Sequence, residues 1–451
     1  MMTVRRQPNS RLRDTIAATG WTYEALAGAV RRVAAENGEV LQTNKSAVAH
    51  WVDGAHPSGL AGQYLAEALS RRAGRVVSTD EIGLAPGEQL VGTAEDPVAT
   101  AIELGRADVD RRHALAGAAF TVAGVAMPLT YDHEAVSRVL RARTSLGLVG
   151  ADDIAVVRDI TAAFSAADER LGGGHGLTTV TAYLADTAAP MLRARFRTDD
   201  LRHRAFGAVA ELAYLAGWKH HDLGQEGAAQ RYYLLGYQLA CEADPHGHAA
   251  WMMRALAHQA LNLKQPRHCV ELTTRALQRA IGYVDGRTEA LLHVSHARAH
   301  ASVRDRVGTG RSLLLAEDAL TRLDQPQPSF SHILGPPTAV VGSNAAKALT
   351  DLADHAGAER HRRVALDQRD RGTHKRIHGL DCADLGVSLA AQSRTDEAIE
   401  VWAQAFDLMD GVASDRTRKA MTSIRPTLVT CLKRGVPGAA DLYRRVYETR
   451  H

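Results

Sequence analysis

The sequence predicts an all-α chain, and three observations carry that expectation. Ala and Leu are abundant in its 451 residues, 45% of which are hydrophobic but only 5% aromatic, and Ala and Leu lose least on entering a helix. Apolar residues recur at i, i+3 and i+4, the spacing of one helix face. Long alternating runs of β-branched residues, the mark of half-buried strands, are missing.

The elements are set in order by their caps. Asn9 and Ser10 start a helix that runs to Thr19 and stops at Gly20, since short polar side chains accept from free N-terminal amides and glycine takes the left-handed closing residue. Thr22 caps a second helix with Ala25, Leu26, Ala29, Val30 and Val33 on one face, ended by Gly38. Asn44 caps a third, ended by Gly54 and Pro57, and a fourth covers about 59–72. STDEIGL (78–84) is expected to form a short fifth, with Ser78 or Thr79 as cap. Residues 1–84 therefore form one helical domain. APGEQLVGTAEDP (85–97) has Pro, Gly and no periodicity and reads as a linker. Helices resume near Val98: residues 98–204 are expected to be a helical linker or dimerisation region, and 205–451 a repeat domain. RLGGGHG (170–176) and QPQPSFSHILGPP (325–337) are the clearest interruptions.

Charge is uneven. Residues 1–78 hold ten Lys/Arg against six acids, a surplus of four, so the remainder of the +3 chain carries a net −1. A basic module on a near-neutral body is the footprint of a polyanion partner. Cys241, Cys269, Cys382 and Cys431 lie far apart with no CxxC pair, as reduced cytosolic thiols would. MMTVRRQPNS lacks the apolar core of a signal peptide. HALAGAAFTVAGVAMPL (113–129) is too short to span a membrane and is expected to be a buried helix ending at Met127-Pro128. The expectation is a cytoplasmic protein with no membrane partner.

The helical remainder repeats. In 217–240, Gly217, Gly224, Ala229, Tyr233 and Gly236 fall at offsets 0, 7, 12, 16 and 19, and Gly386, Ser393, Ala398, Trp402 and Ala405 repeat the series. Small residues at 0, 12 and 19 let two antiparallel helices approach, and an aromatic at 16 fills the gap. Weaker copies start at Ala257, Ala297, Ala346 and Leu428. The spacing resembles tetratricopeptide (TPR) repeats, at about 40 residues rather than the usual 34. That resemblance implies a curved α-solenoid with a concave groove. Tyr214, His258, Asn262, His300 and Asn344, polar or aromatic near first-helix positions, are the groove candidates by analogy.

NKSAVAHWVDGAHP (44–57) carries the clearest chemistry. Val48, Trp51 and Val52 lie on one helix face and pack inward, while Lys45, Ser46 and His50 point elsewhere. Ala47 and Ala49 keep the helix slim enough to sit in a major groove. The pattern resembles the recognition helix of XRE/Cro-type helix-turn-helix regulators, and GWTYEALAGAV (20–30) the helix before it. With ERLGGGHGLTTVTAYL (169–184) and 211–240, the chain is similar to actinobacterial helix-turn-helix–TPR regulators. By that resemblance Lys45, Ser46 and His50 read bases, while Asn44 and Tyr23 contact phosphates. Trp51-Val52 stands where many members have Trp-Glu. RRVAAENGEVLQT (31–43) replaces the family's tight turn, so either the second helix is longer or a wing-like loop intervenes. Arg31 and Arg32 in it are further candidates for phosphate contact.

Other constellations are weaker. His293, His296 and His300 share a face but have no supporting acid or Cys, so a polar lining is expected and no metal. His220 occupies an inter-helix packing position. LGGGHG lacks the Lys-Ser/Thr of a phosphate loop and is expected to be a flexible turn. ERHRRVALDQRDRGTHKRIH (359–378) holds seven Lys/Arg against three acids: a solvated helix face is expected, contact with DNA backbone or binding of an anionic ligand or peptide the alternative. No catalytic triad, carboxylate pair or dinucleotide fingerprint stands out, so neither an enzyme nor a cofactor is expected. The expected function is a sequence-specific DNA-binding transcriptional regulator. It would act as a homodimer on an inverted-repeat operator, with a peptide or small molecule as signal. The alternative is a TPR-type adaptor for another protein, its DNA binding lost or incidental. An enzyme-like ligand binder would instead show a closed pocket.

Overall fold

The computed structural model describes residues 7–36, 39–84, 96–109, 128, 148–322, 330 and 334–448. The described chain is overwhelmingly helical, as expected. Its strands there are a parallel pair, β1 (Leu148–Val149) beside β2 (Arg195–Phe196). Apart from Pro128, the expected buried helix at 113–129 lies outside the described residues, as does Gly38.

The N-terminal unit is built on its caps. Helix α1 (Ser10–Thr19) begins with the Leu12 amide donating to Asn9 Oδ1 at 3.0 Å and ends at Gly20 with φ +66°. Helix α2 (Tyr23–Glu36) starts where the Ala25 amide donates to Thr22 Oγ1 at 3.2 Å. Helix α3 (Lys45–Val52) starts on Asn44, whose Oδ1 accepts from the Ala47 amide at 2.9 Å. Helix α4 (Ala61–Ala73) packs its Tyr64, Leu65 and Leu69 with Leu12, Leu26, Val30, Val48 and Trp51 in one core. Both options for 31–43 are realised in part: α2 continues to Glu36, and 39–44 come after it without regular structure. The expected fifth helix is not formed. Residues 78–84 make a capped turn, in which Ser78 Oγ accepts from the Glu81 amide at 3.0 Å and Gly83 ends it at φ +69°. Seven residues are too few to offset helix nucleation once that glycine closes them.

Beyond it come α5 (Pro97–Val109), α6 (Ala151–Leu171) and α7 (Leu177–Tyr183). A π-helical stretch (Leu184–Ala188) and a last turn (Ala189–Met191) extend α7. These helices share one apolar cluster with the next part of the chain, running from Val98 to Phe330.

Six antiparallel helix pairs then succeed one another among the described residues. They are α8 (Asp199–Asp222) with α9 (Glu226–Ala243), α10 (Gly247–Asn262) with α11 (Pro266–Ala280), and α12 (Gly286–Ser302) with α13 (Arg306–Leu320). Then come α14 (Pro337–Asp351) with α15 (His355–Asp367), and α16 (Lys375–Ala391) with α17 (Thr395–Met409). After α18 (Asp415–Ser423), α19 (Arg425–Lys433) pairs with α20 (Ala439–Glu448). Each pair turns the same way. Gly224, Lys264, Arg304, Ala353, Ser393 and Gly435 all have φ between +60° and +76°, and each lies at offset 7 from a repeat start. The next residue's amide closes the turn in every pair. Gln225 donates to His220 O, Gln265 to Ala260 O and Asp305 to His300 O at 2.8–3.0 Å, and Asp354, Arg394 and Val436 repeat the bond to Leu349, Leu389 and Cys431 at 2.9–3.1 Å. This is the Schellman closure that satisfies the end of a helix. The expected aromatic filler is in place: a Cβ on Gly217 would lie 2.7 Å from Tyr233, and one on Gly386 would lie 2.3 Å from Trp402 Nε1.

Candidate nucleic-acid interface and array cavity

Helix α3 is two-faced. Val48, Trp51 and Val52 are buried, while Lys45, Ser46 and His50 are exposed beside them. The helix is fixed at its start from two sides. Asn44 caps it, so the residue's Oδ1 is committed and its amide nitrogen is what remains for an outside acceptor. Arg31 Nη1 donates to the Thr43 carbonyl, tying α2 to the residue just before the cap. That gives Arg31 a positioning task that the sequence did not suggest. Tyr23 is half-buried against the domain core, and Arg32 is exposed.

Part of the basic surplus serves the fold itself. Arg71 pairs with Glu36 at 2.8 Å and Glu67 at 2.9 Å, and Arg75 with Glu81 at 2.5 Å. Arg72 Nε donates to the Thr19 carbonyl at 3.1 Å and its guanidinium lies 5.8 Å from the Trp21 ring. Lys45 and Arg32 remain exposed.

The second feature is a cavity of about 110 Å³ lined by the first helices of successive pairs. Tyr214 and Trp218 come from α8, Arg254 and His258 from α10, Arg298 from α12, and Asn344 and Lys347 from α14. Helix α16 supplies Leu380 and Asp381, and α18 supplies Arg416. A cleft that shares His258, Arg298, Lys347 and Arg416 adjoins it and adds Asn262 and Asp351.

The array closes on itself around this cavity. Arg376 on α16 is fully buried and reaches Asp168 at 2.7 Å and Glu169 at 3.0 Å on α6, and Asp222 at 2.9 Å at the end of α8. Lys219 holds the other oxygen of Asp168 at 3.2 Å. Burial works against the Asp222 carboxylate, but Arg376 and Arg416 outweigh it and hold its pKa below the ordinary range. The backbone joins too: the Ala413 amide donates to Leu171 O at 2.9 Å. RLGGGHG makes a turn, as expected, and Gly172 and Gly173 also allow close packing in it. A Cβ on Gly172 would lie 2.5 Å from Ala413 O, and one on Gly173 would lie 2.6 Å from Lys219 O.

Four of the five groove candidates come together here. Tyr214 forms an inner wall, edge-on to Trp251 at 4.4 Å, and Asn344 accepts from Arg298 Nη1 at 3.2 Å. His258 stands where cavity and cleft meet, and burial with Arg298 and other nearby cations pushes its imidazole pKa well below the usual value. Asn262 borders the cleft, 3.4 Å from the His258 and His221 rings. His300 is absent from both linings. It faces its own pair's turn, with Asp305 at 2.8 Å and His296 at 2.9 Å. His296 also meets Thr273 Oγ1 at 2.9 Å, so these histidines form a polar relay between helices. His220 packs as expected, 5.2 Å from Tyr232 and bonded to Asp108 and Gln225.

The expected solvated face at 359–378 is overturned in part. Arg362, Arg369 and Arg376 are buried. Arg362 meets Asp381 at 2.6 Å and Arg369 meets its other oxygen at 2.5 Å. Sequence reasoning also missed Arg254, Arg298, Lys347 and Arg416. A usable signal was present: Trp218, His258, Arg298 and Lys347 each stand one residue after a repeat start.

Comparison with known proteins bears on the N-terminal unit. No curated protein matches the chain. Residues 12–85, from α1 to the turn after α4, match the family described as the SP15 N-terminal domain.

Proposed function

We propose that the protein is a sequence-specific DNA-binding transcriptional regulator. In this reading residues 1–84 are a helix-turn-helix module, α3 is its recognition helix, and the six helix pairs are a TPR-like solenoid that receives a signal and pairs two copies. The observation that carries it is the division of α3 into a buried face (Val48, Trp51, Val52) and an exposed one (Lys45, Ser46, His50). A helix that enters the major groove needs such a division, with short or basic groups near its N-terminus. Asn44, Tyr23 and Arg32 would meet phosphates, and Arg31 would set the angle of α3 through Thr43. A dimer would read an inverted repeat with half-sites one helical turn apart or a multiple of it.

The test is selection of bound sequences from random duplexes, followed by titration with the selected and a scrambled site. Lys45→Ala should reduce discrimination by about 1–3 kcal/mol, whereas Arg32→Ala should weaken both sites alike and flatten the salt dependence. Failure to enrich any sequence, or equal loss on both sites for Lys45→Ala, refutes the reader assignment and favours the adaptor.

A further inference from the structure

We propose that the array cavity binds a compact ligand bearing a multiply charged anionic group, phosphate or carboxylate, held by Arg254, Arg298, Lys347 and Arg416. This rests on the reading of the array as the signal-receiving part, and it names the chemistry of the signal.

Positive charge is left over in the cavity. The acids lining it are already matched: Asp168 and Glu169 by Arg376 and Lys219, and Asp381 by Arg362 and Arg369. In the adjoining cleft Glu226 meets His221 at 2.9 Å and Asp384 meets Arg362 at 3.3 Å. Four cations remain. Arg254 is only 8% exposed, lines the cavity, forms no ion pair among the described residues, and its Nε has no acceptor there. Arg298 donates one bond to the neutral Asn344, and its Nε is likewise unsatisfied. Lys347 has neither an ion pair nor a hydrogen bond among the described residues. Arg416 stands 3.8 Å from Asp222, already shared with Arg376, and lies 4.9 Å from the Trp218 ring.

These groups also disturb one another. Burial first, then the fields of Arg298, Arg416 and Arg362 against the pull of Asp384, bring the Lys347 ammonium down to about 8. Arg298 is lowered by burial and by Arg416, though Asp351 and Asp384 oppose this. Asp351, which borders the cleft outside any ion pair among the described residues, is itself raised by burial. Like charges gathered in a partly desolvated site weaken the fold and await a counter-charge. Two or three guanidinium forks with one ammonium match the oxygens of a phosphate or of several carboxylates. The Arg376 closure keeps the space compact, so the ligand is a small molecule rather than a long extended chain.

The experiment uses the full chain with pyrophosphate and citrate as probes, by calorimetric titration and melting at constant ionic strength, with chloride as control. The expected result is saturable binding of one probe and a rise of a few degrees in melting midpoint at saturation, roughly as ligand linkage requires. The tighter probe tells phosphate from carboxylate chemistry. Lys347→Met and Arg416→Gln should weaken that binding at least about tenfold, and Lys347→Met should melt at or above wild type when free of ligand, because it relieves repulsion. Neither probe exceeding chloride, or undiminished binding in both variants, overturns the proposal. DNA selection on the same preparation separates the two ideas. Anion binding without sequence selection removes the regulator and keeps the site, whereas selection without anion binding does the reverse.

Discussion

Replacing Arg376 with Met tests whether ion pairing between distant helices holds the array closed. The guanidinium is fully buried within 2.7–3.0 Å of Asp168, Glu169 and Asp222. Met keeps an apolar stem of similar reach and removes only the charge. Deleting one partner of a buried pair costs about 3–5 kcal/mol, because the other charge is left without compensation. Lys219 still serves Asp168 at 3.2 Å and Arg416 still faces Asp222 at 3.8 Å, so the low end, about 3 kcal/mol, is expected. Denaturant unfolding monitored by circular dichroism measures it. X-ray scattering should show a larger radius of gyration as α6 and α16 part. Adding Asp168→Asn and Asp222→Asn to Arg376→Met should recover part of the loss, since the orphaned charges go too. A single variant within about 1 kcal/mol of wild type, with unchanged scattering, refutes the reasoning.

The same geometry carries three further expectations. Gly386→Ala should cost at least about 2 kcal/mol, because Trp402 Nε1 is held by the Ala383 carbonyl at 3.0 Å and cannot retreat from the new methyl. The matched control Gly310→Ala, exposed on α13 with nothing near its Cβ position, should stabilise by about 0.5–1 kcal/mol in the same unfolding assay. Asp222 and Asp381 are depressed below the ordinary 3.8 in the fold. Their contribution should therefore be intact above that value and vanish as the pH falls below it through the folded values, which unfolding midpoints between pH 6 and 2 would register. Methylated-lysine NMR of the ligand-free protein should show Lys347 titrating near 8, well below the other lysines, and a normal value near 10.5 there would contradict the crowded cavity.

Local structure was legible in the sequence because its causes are local. Asn9, Thr22 and Asn44 each cap the expected helix, and Gly20 stops the first. The repeat was legible where its residues were distinctive, as in Gly217 with Tyr233 and Gly386 with Trp402. It was faint where Lys264, Arg304 and Ala353 take the left-handed turn without being glycine, at a cost of about 1–2 kcal/mol each. The packing of the pairs evidently covers that cost. What could not be read was long-range. Nothing local in ERHRRVALDQRDRGTHKRIH tells which of its cations meet Asp168 or Asp381, far away in sequence or on another face. Nor does His300 reveal that it turns back to Asp305. On α3 the inward and outward faces could be separated by spacing alone, but the tie from Arg31 to Thr43 depends on how the loop before it folds back.

A row of helix pairs whose contacts all lie between neighbours unfolds like a frayed rope, one end at a time. Here Arg376 and Asp168 stand 208 residues apart, and their contact ties the fifth pair to the helix that precedes the first. Losing any of the first five pairs would then open the loop, so those five should melt in a single event rather than a sequence of partial ones. Assembly has the opposite character. Each pair can form from nearby residues, while the joint between α6 and α16 must wait for those that lie between them, making it a slow late step. A molecule bound inside would meet a ring that is complete or not, and report its presence to both sides of the joint at once.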